Sequence, residues 1–517
     1  MTTTNNNIII MHHPKSWTLQ LVSLLIISFL VAAKASAFTT ASTSTSTSIS
    51  SATTKASLFK TPSLTVPRID TNTNTLHKNS IVTTRNMSTA LKTTGGGEAP
   101  AAAAAAAPKR VRIAAFDSMR FFLIAFICIG HFIRFAEPSS TLVLNFFSQV
   151  NVVVGAFFVL SGYVTAYTST TVGAYEASPK LKPAPAWILS RVFGYFPLHV
   201  IVLLLFSPVF LYADVTYNGW FQSAIHGIMS LTMTQAWFPM NAEIWNAPSW
   251  FLSALTFATA TMPFALPSIA KMTPLQLKRT MLYLVGASLL PKLGYSYDHN
   301  VWGVMEGITA PNAFPNLAIF NNQRFNPFFA TLEVLLGATA CRLVMLDGVD
   351  DKDKGAPKTT PLSTLGPLVG MLGIMILRSM DILKLNDMLT RTLLFLPLFL
   401  RFMMAAHRVA VAEANGTSTD SKDPTVAILS SKFLTTLGGL GFPIFLVHGP
   451  LGQVFYKKII ATKLFGGTMN KLYGAPFFYV YLGTVVVTAA VLKKLVVDNK
   501  TIGNFSKETA VKWSKGL

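Results

Sequence analysis

Three ionisable residues interrupt an otherwise apolar stretch near the start of the hydrophobic part of the chain: Asp117 and Arg120 in FDSMR, then His131 after FFLIAFICIG. On a helix the eleven residues from Arg120 to His131 complete almost three turns, which puts both side chains on one face about 16 Å apart. Asp117, three residues before Arg120, falls beside it. Ionisable groups inside a bilayer are costly and mark functional sites by default. A histidine, with an ordinary pKa near ~6.5, takes and returns a proton at neutral pH. An arginine stays charged and grips oxyanions with a planar fork. The chemistry open to this face is therefore proton transfer in reach of a bound anion. The alternative is an Asp117–Arg120 ion pair anchoring a helix end, with His131 bonded to neighbouring backbone.

Other polar residues stand alone in apolar runs: Ser161 before Gly162, Arg191, Trp250, Glu333 one turn before Gly337, and His448. Glu333 needs a partner, for which Arg191 or a bound water is available. His448 lies about as far along its segment as His131 does along its own, so both can line one cavity; a structural hydrogen bond is the other reading. Ser161 is either a nucleophile or, like many small residues next to glycine, a helix-packing contact. Trp250 suits the interfacial level of a membrane or a substrate contact.

The remainder of the chain dictates what carries these residues. Of 517 residues, 51% are hydrophobic and only 12% charged, about half the ~25% charge content of soluble domains. That excludes a disordered or ordinary cytosolic protein and predicts an all-α, polytopic integral membrane helix bundle. Apolar runs at 113–135, 142–168, 186–212, 249–270, 279–296, 325–346, 361–381, 387–410, 429–457 and 475–497 give about ten transmembrane helices. A shorter stretch, 221–237, is expected to be re-entrant or interfacial. With ten spans the basic clusters around Lys180, Lys271, Lys352 and the C-terminal tail share a side with Lys109 and Arg110, as orientation by positive loops requires; Lys457, Lys458, Lys463 and Lys471 fall on the opposite side. No internal repeat is visible, which disfavours inverted-repeat transporters. Cys128 and Cys341, the two cysteines, offer neither a disulfide framework nor a cysteine metal site, and no metal is expected.

The run FDSMR…GHF, followed by Phe157-Phe158-Val159-Leu160-Ser161-Gly162-Tyr163, resembles the opening of the membrane-bound acyltransferase family 3. Further similar elements follow in order: Arg191 with Pro197, Asn246-Ala-Pro-Ser-Trp250-Phe-Leu-Ser253, Asn326-Pro327 with Leu332-Glu333…Gly337, and Leu437-Gly438…Phe442-Pro443…His448. Together they cover about 111–460. The resemblance implies transfer of an acyl group from an acyl-CoA, acetyl-CoA foremost, to a hydroxyl or amine of a lipid, carbohydrate or other small acceptor, with no bound cofactor. It implies His131 as general base with Arg120 and Asp117 as catalytic partners, Arg120 holding the donor's phosphate or carbonyl oxygen, or orienting the histidine through Asp117. Ser161, Arg191, Trp250, Glu333 and His448 are then the expected substrate-binding residues. The chain departs from the family pattern at Gly194, where a second basic residue is common, and at Leu255, where a glutamate is. Alternatives on the same fold are a multi-pass transporter or a non-catalytic membrane sensor. Length alone points to the loop 298–324 as the segment that shapes acceptor choice.

Upstream, the sequence reads as an address. Residues 1–37 carry Lys15, an apolar core and Ala35-Ser36-Ala37, the pattern of a signal peptide. Residues 38–108 form a Ser/Thr/Ala-rich, acid-poor, transit-like segment. The junction Ala-Ser-Ala-Phe resembles that of bipartite presequences in algae with complex plastids, so the expected location is a plastid membrane of such an alga, or the ER and endomembranes. The transmembrane domain is expected at 109–497 and a basic tail at 498–517. The net charge of +21 would in a soluble protein suggest nucleic acid. Here residues 1–108, with eight basic and two acidic residues, and the tail carry much of it, and the expected partners are membrane lipids and substrates, with no nucleic acid.

Overall fold

The computed structural model describes residues 110–305, 314–347, 360–416 and 423–515. The presequence segments 1–37 and 38–108 lie outside the described residues. Among the described residues there is no strand beyond an isolated bridge between Thr170 and Ala177; everything regular is helical. The principal helices are α1 (Ala115–Phe132), α2 (Val150–Ser169), α3 (Ala184–Val192), α4 (Phe196–Leu231), α5 (Trp250–Lys271), α6 (Pro274–Asp298), α7 (Leu317–Phe325) and α8 (Pro327–Met345). They continue with α9 (Pro361–Ser379), α10 (Asp387–Ala414), α11 (Lys432–Gly438), α12 (Gly441–Tyr456), α13 (Lys458–Phe465), α14 (Ala475–Leu492) and α15 (Lys500–Ser514).

Among the described residues eight helical segments are long and apolar enough to cross a membrane, or nine when α11 and α12, bent by 49°, count as one broken span. The one expected span not among these, 279–296, corresponds to α6, which has the length but carries Lys278, Arg279 and Lys292. The third expected span, 186–212, is divided. α3 ends at Val192, and α4 runs on past residue 212 to Leu231. Its final limb follows a break at Gly219, whose φ of 74° and ψ of 171° are open to glycine alone. That limb contains most of the stretch expected to be re-entrant. It turns Trp220, Phe221 and Ile228 outward and Ser223, His226 and Ser230 inward, the polarity of a helix with lipid outside and protein within. On the same end of α4, Lys457 and Lys463, which the charge pattern left on the unfavoured side, lie over the rings of Tyr217 and Tyr212.

Close packing rests on glycine. α2 and α8 cross so tightly that a Cβ on Gly162 would come within 1.8 Å of the Val334 carbonyl oxygen, and one on Gly337 within 1.9 Å of that of Val159. Small residues allow this approach where lipid supplies no hydrophobic drive between helices. The principal buried charges are paired. Glu333 is ion-paired with Arg391, which begins a π-helical turn of α10, and Arg378 pairs with Asp387. Arg342 donates to the carbonyls of Thr171, at 2.7 Å, and Ala270, at 3.1 Å, closing two helix ends. The partner of Glu333 is thus Arg391. Arg191 is occupied elsewhere, because its residue position faces the end of α2.

Gly337→Ala should destabilise the protein by about 3 kcal/mol, seen as a lower melting temperature in detergent. Gly286→Ala, in α6 with nothing within 4 Å of the added methyl, should leave stability unchanged or slightly raised. Equal melting temperatures for the two variants would contradict the α2–α8 packing.

Candidate active site

A cavity of about 770 Å³ lies between α1, α2, α5 and α12. It follows α1 from Arg120 to His131, a rise of about 16 Å. Its middle is an apolar waist, walled by Ile127, Val154, Phe157, Phe251, Leu252 and Phe445. Each end is polar.

At one end Arg120 lines the void and bonds Asp117 Oδ1 at 3.1 Å. The other oxygen of Asp117 accepts from Arg112 at 2.8 Å. Asp117 therefore orients Arg120 and does not reach His131. Around Arg120 the wall is backbone: Gly438, Gly439 and Gly441 form the break between α11 and α12, where a Cβ on Gly441 would stand 3.4 Å from the Arg120 side chain.

At the other end is His131, whose accessible surface faces the cavity. Its Nδ1 lies 3.0 Å from His448 Nε2, with the two rings within 11° of parallel. His448 Nδ1 is 3.1 Å from the Ile444 carbonyl oxygen. A carbonyl only accepts, so His448 carries its proton on Nδ1 and offers Nε2 as acceptor. His131 Nδ1 must then donate, and its lone pair is left on Nε2. His448 itself is fully buried; it stands behind His131 and is not on the cavity wall. The helices meet this closely because α12 is notched: a Cβ on Gly452 would enter the Phe132 ring, and one on Gly449 would lie 2.5 Å from Pro248.

The loop before α5 closes the histidine end. Asp214 of α4 accepts from His226 Nδ1 and from Trp245 Nε1, both at 2.9 Å, and Gln453 Nε2 donates to the Trp245 carbonyl at 2.5 Å. This cluster holds Glu243, Ala247 and Pro248 in the wall. Arg324, on the last turn of α7, enters from the far side.

The other expected residues divide by position. Ser161 lines the waist, and its hydroxyl donates to Phe157 O of its own helix at 2.7 Å. Trp250 also lines it, but it is buried against Phe158 and Phe325 and not held at an exposed interface. Arg191 and Glu333 are off the cavity wall. Arg191 donates to Thr168 Oγ1 at 3.0 Å and stacks on Trp187. Both positions where the chain departs from the family pattern, Gly194 and Leu255, are on the wall, beside a Tyr195–Thr256 hydrogen bond of 2.8 Å. A charge is missing from each, so this stretch of wall is neutral.

Asn151, Glu243, Arg324 and Gln453 were not singled out from the sequence. Asn151 had a signal, being a lone amide within a run of valines; Glu243 sits in a connecting segment, where polar residues are ordinary, and Arg324 in the stretch 298–324 read from the sequence as a loop, which is helical from Leu317. Among the described residues no three His, Cys, Asp or Glu side chains converge as a metal-ligand set.

A bundle of membrane-crossing helices around an interior cavity with polar ends defines an integral membrane protein. Residues 113–493 match the family model described as an acyltransferase domain, that of acyltransferase family 3, and the chain belongs to this family of membrane acyltransferases. No curated protein and no solved structure matches it.

Nitrogen NMR of histidine-labelled protein at neutral pH should find His131 protonated at Nδ1 and bare at Nε2, and His448→Phe should mix the two tautomers of His131. A wild-type His131 protonated at Nε2 would contradict the relay from Ile444.

Proposed function

We propose that the protein transfers an acyl group from an acyl-CoA, acetyl-CoA foremost, to a hydroxyl or amine of a lipid, glycan or other small acceptor. The observation that carries this reading is the single cavity with Arg120 at one end and the Nε2 lone pair of His131 at the other. A donor of polyanionic head and long uncharged arm matches that distribution of charge. Arg120, steadied by Asp117, binds a phosphate of the donor. The arm runs along the apolar waist, past Trp250 and Ser161, and delivers the thioester carbonyl to His131.

There His131 Nε2 takes the proton of the acceptor hydroxyl as its oxygen attacks the carbonyl carbon. The C–O bond forms, the C–S bond breaks, and the proton passes to the departing thiolate, so that ester and free thiol are the products. His448 acts through His131, keeping the lone pair on Nε2 and sharing the charge that develops on the ring. Glu333 and Arg191 serve one layer out, the first by fixing α8 and α10, the second by fixing the end of α2. The neutral wall at Gly194 and Leu255 suits the uncharged arm.

Transfer of labelled acetyl groups from acetyl-CoA in isolated membranes tests this. His131→Ala should lose activity by about 10²-fold or more, and Arg120→Ala should raise the donor KM. Unchanged labelled product in both variants would refute the assignment. The proposed membrane is that of a complex plastid or the ER, and a fluorescent fusion of residues 1–110 should light one of the two; a cytosolic signal would refute the presequence.

A further inference from the structure

Two guanidinium groups line the cavity among the described residues, and they are at opposite ends. Arg120 has a role in the reading above, whereas Arg324 does not. It belongs to no motif of the sequence, yet it is built into place from three directions. Its Nε donates to Asn151 Oδ1 of α2 at 3.2 Å, its Nη2 to Glu243 Oε1 of the loop before α5 at 3.3 Å, and its guanidinium carbon lies 4.5 Å over the centre of the Phe325 ring. A side chain with several rotatable bonds is thereby held on the wall of the cavity that His131 also lines. Glu243 is about half exposed, at 48%, against 20% for Arg324, so solvent screens the carboxylate more than the guanidinium.

Acyl transfer makes one demand that the histidine pair does not meet. As the acceptor oxygen bonds to the thioester carbon, negative charge gathers on the carbonyl oxygen, in a site with an apolar waist behind it. A fixed donor aimed at that oxygen is worth far more there than in water. Arg120, about 16 Å away along α1, is too distant to serve. Gln453 spends one Nε2 proton on the Trp245 carbonyl and, as a neutral donor, offers an oxyanion less than a guanidinium does.

Resting on the proposed acyl transfer, we infer that Arg324 is a further catalytic residue, which stabilises the oxyanion of the tetrahedral intermediate while His131 handles the proton. Asn151 and Glu243 are its positioning residues. When the intermediate collapses, the electron pair returns to the carbonyl, the thiolate leaves, and Arg324 keeps its protons throughout. The segment that closes on the acceptor end thus supplies catalysis as well as shape.

The test uses full-length protein in lipid nanodiscs and membranes, with labelled acetyl-CoA as probe. Two readouts run together: transfer to the acceptors of the membrane, and slow hydrolysis with water as acceptor. Arg324→Ala should lower the maximal rate of both by about 10²-fold, with the acetyl-CoA KM within about threefold of wild type. Added guanidinium should restore part of the rate, which a merely misfolded variant would not permit, and Arg324→Lys should keep more activity than Arg324→Ala. Full activity in Arg324→Ala overturns the inference. So does a loss confined to the acetyl-CoA KM, or a loss of transfer with hydrolysis intact, which would make Arg324 an anchor for an anionic acceptor. His131→Ala in the same assay separates the two levels: if it is inactive while Arg324→Ala is active, acyl transfer stands and the oxyanion role falls.

Discussion

The backbone contact between α2 and α8 is the constraint on which the site depends. Gly162 and Gly337 leave no room for a methyl group, so the two helices have one register and one separation. That register sets Glu333 against Arg391 and presents Asn151, Val154, Phe157 and Ser161 to the cavity. It also places α7, which joins α8 through Asn326-Pro327, so that Arg324 reaches Asn151. A polar cavity wall inside a bilayer is tolerable because the buried charges behind it are paired, with arginines spent on carboxylates and on the carbonyls of helix ends.

A second glycine surface works on the opposite side. The notch at Gly449 and Gly452 admits Pro248 and the Phe132 ring, and the break at Gly438-Gly439-Leu440-Gly441 bends α12 away from α11. Between them they bring His448 under His131. The outcome is a histidine whose tautomer is set by a carbonyl two links away, in a helix that has no spare hydrogen bond of its own for the purpose. The two ends of the cavity then differ in kind. Around Arg120 the wall is glycine backbone and open to a bulky anion; around His131 it is amide, carboxylate and guanidinium, suited to small polar groups.

The all-helical membrane bundle, most of its spans and the family were legible in the sequence, because apolar runs and the motifs around Arg120, His131, Ser161 and His448 are local signals. The misjudged elements are those where local polarity and tertiary role diverge. α6, expected as the span 279–296, runs from Pro274 to Asp298 and carries Lys292, a charge that an apolar run does not account for and that the structure buries with bonds to Ser288 and Thr392. The stretch after Gly219 is hydrophobic on its outer side and polar on its inner side, which a run of mixed residues does not reveal until the break is known. Glu243, in a connecting segment, carried no signal, and Arg324 had only that of its long stretch, 298–324, with nothing to distinguish it from its neighbours.

What the sequence by itself determined is the one-helix geometry: Asp117, Arg120 and His131 on one face, with fixed rise and fixed angle, since those follow from helical repeat alone. Which groups meet across helices was decided only by the tertiary structure. Glu333 chose Arg391 over Arg191, and His131 chose His448 over backbone. Arg324 entered the cavity from more than 190 residues downstream of His131. The reason is that side-chain partners in a bundle depend on which helix lies next to which and at what depth, and these are set by the glycine contacts, whose effect is a short distance between backbones that no single segment encodes.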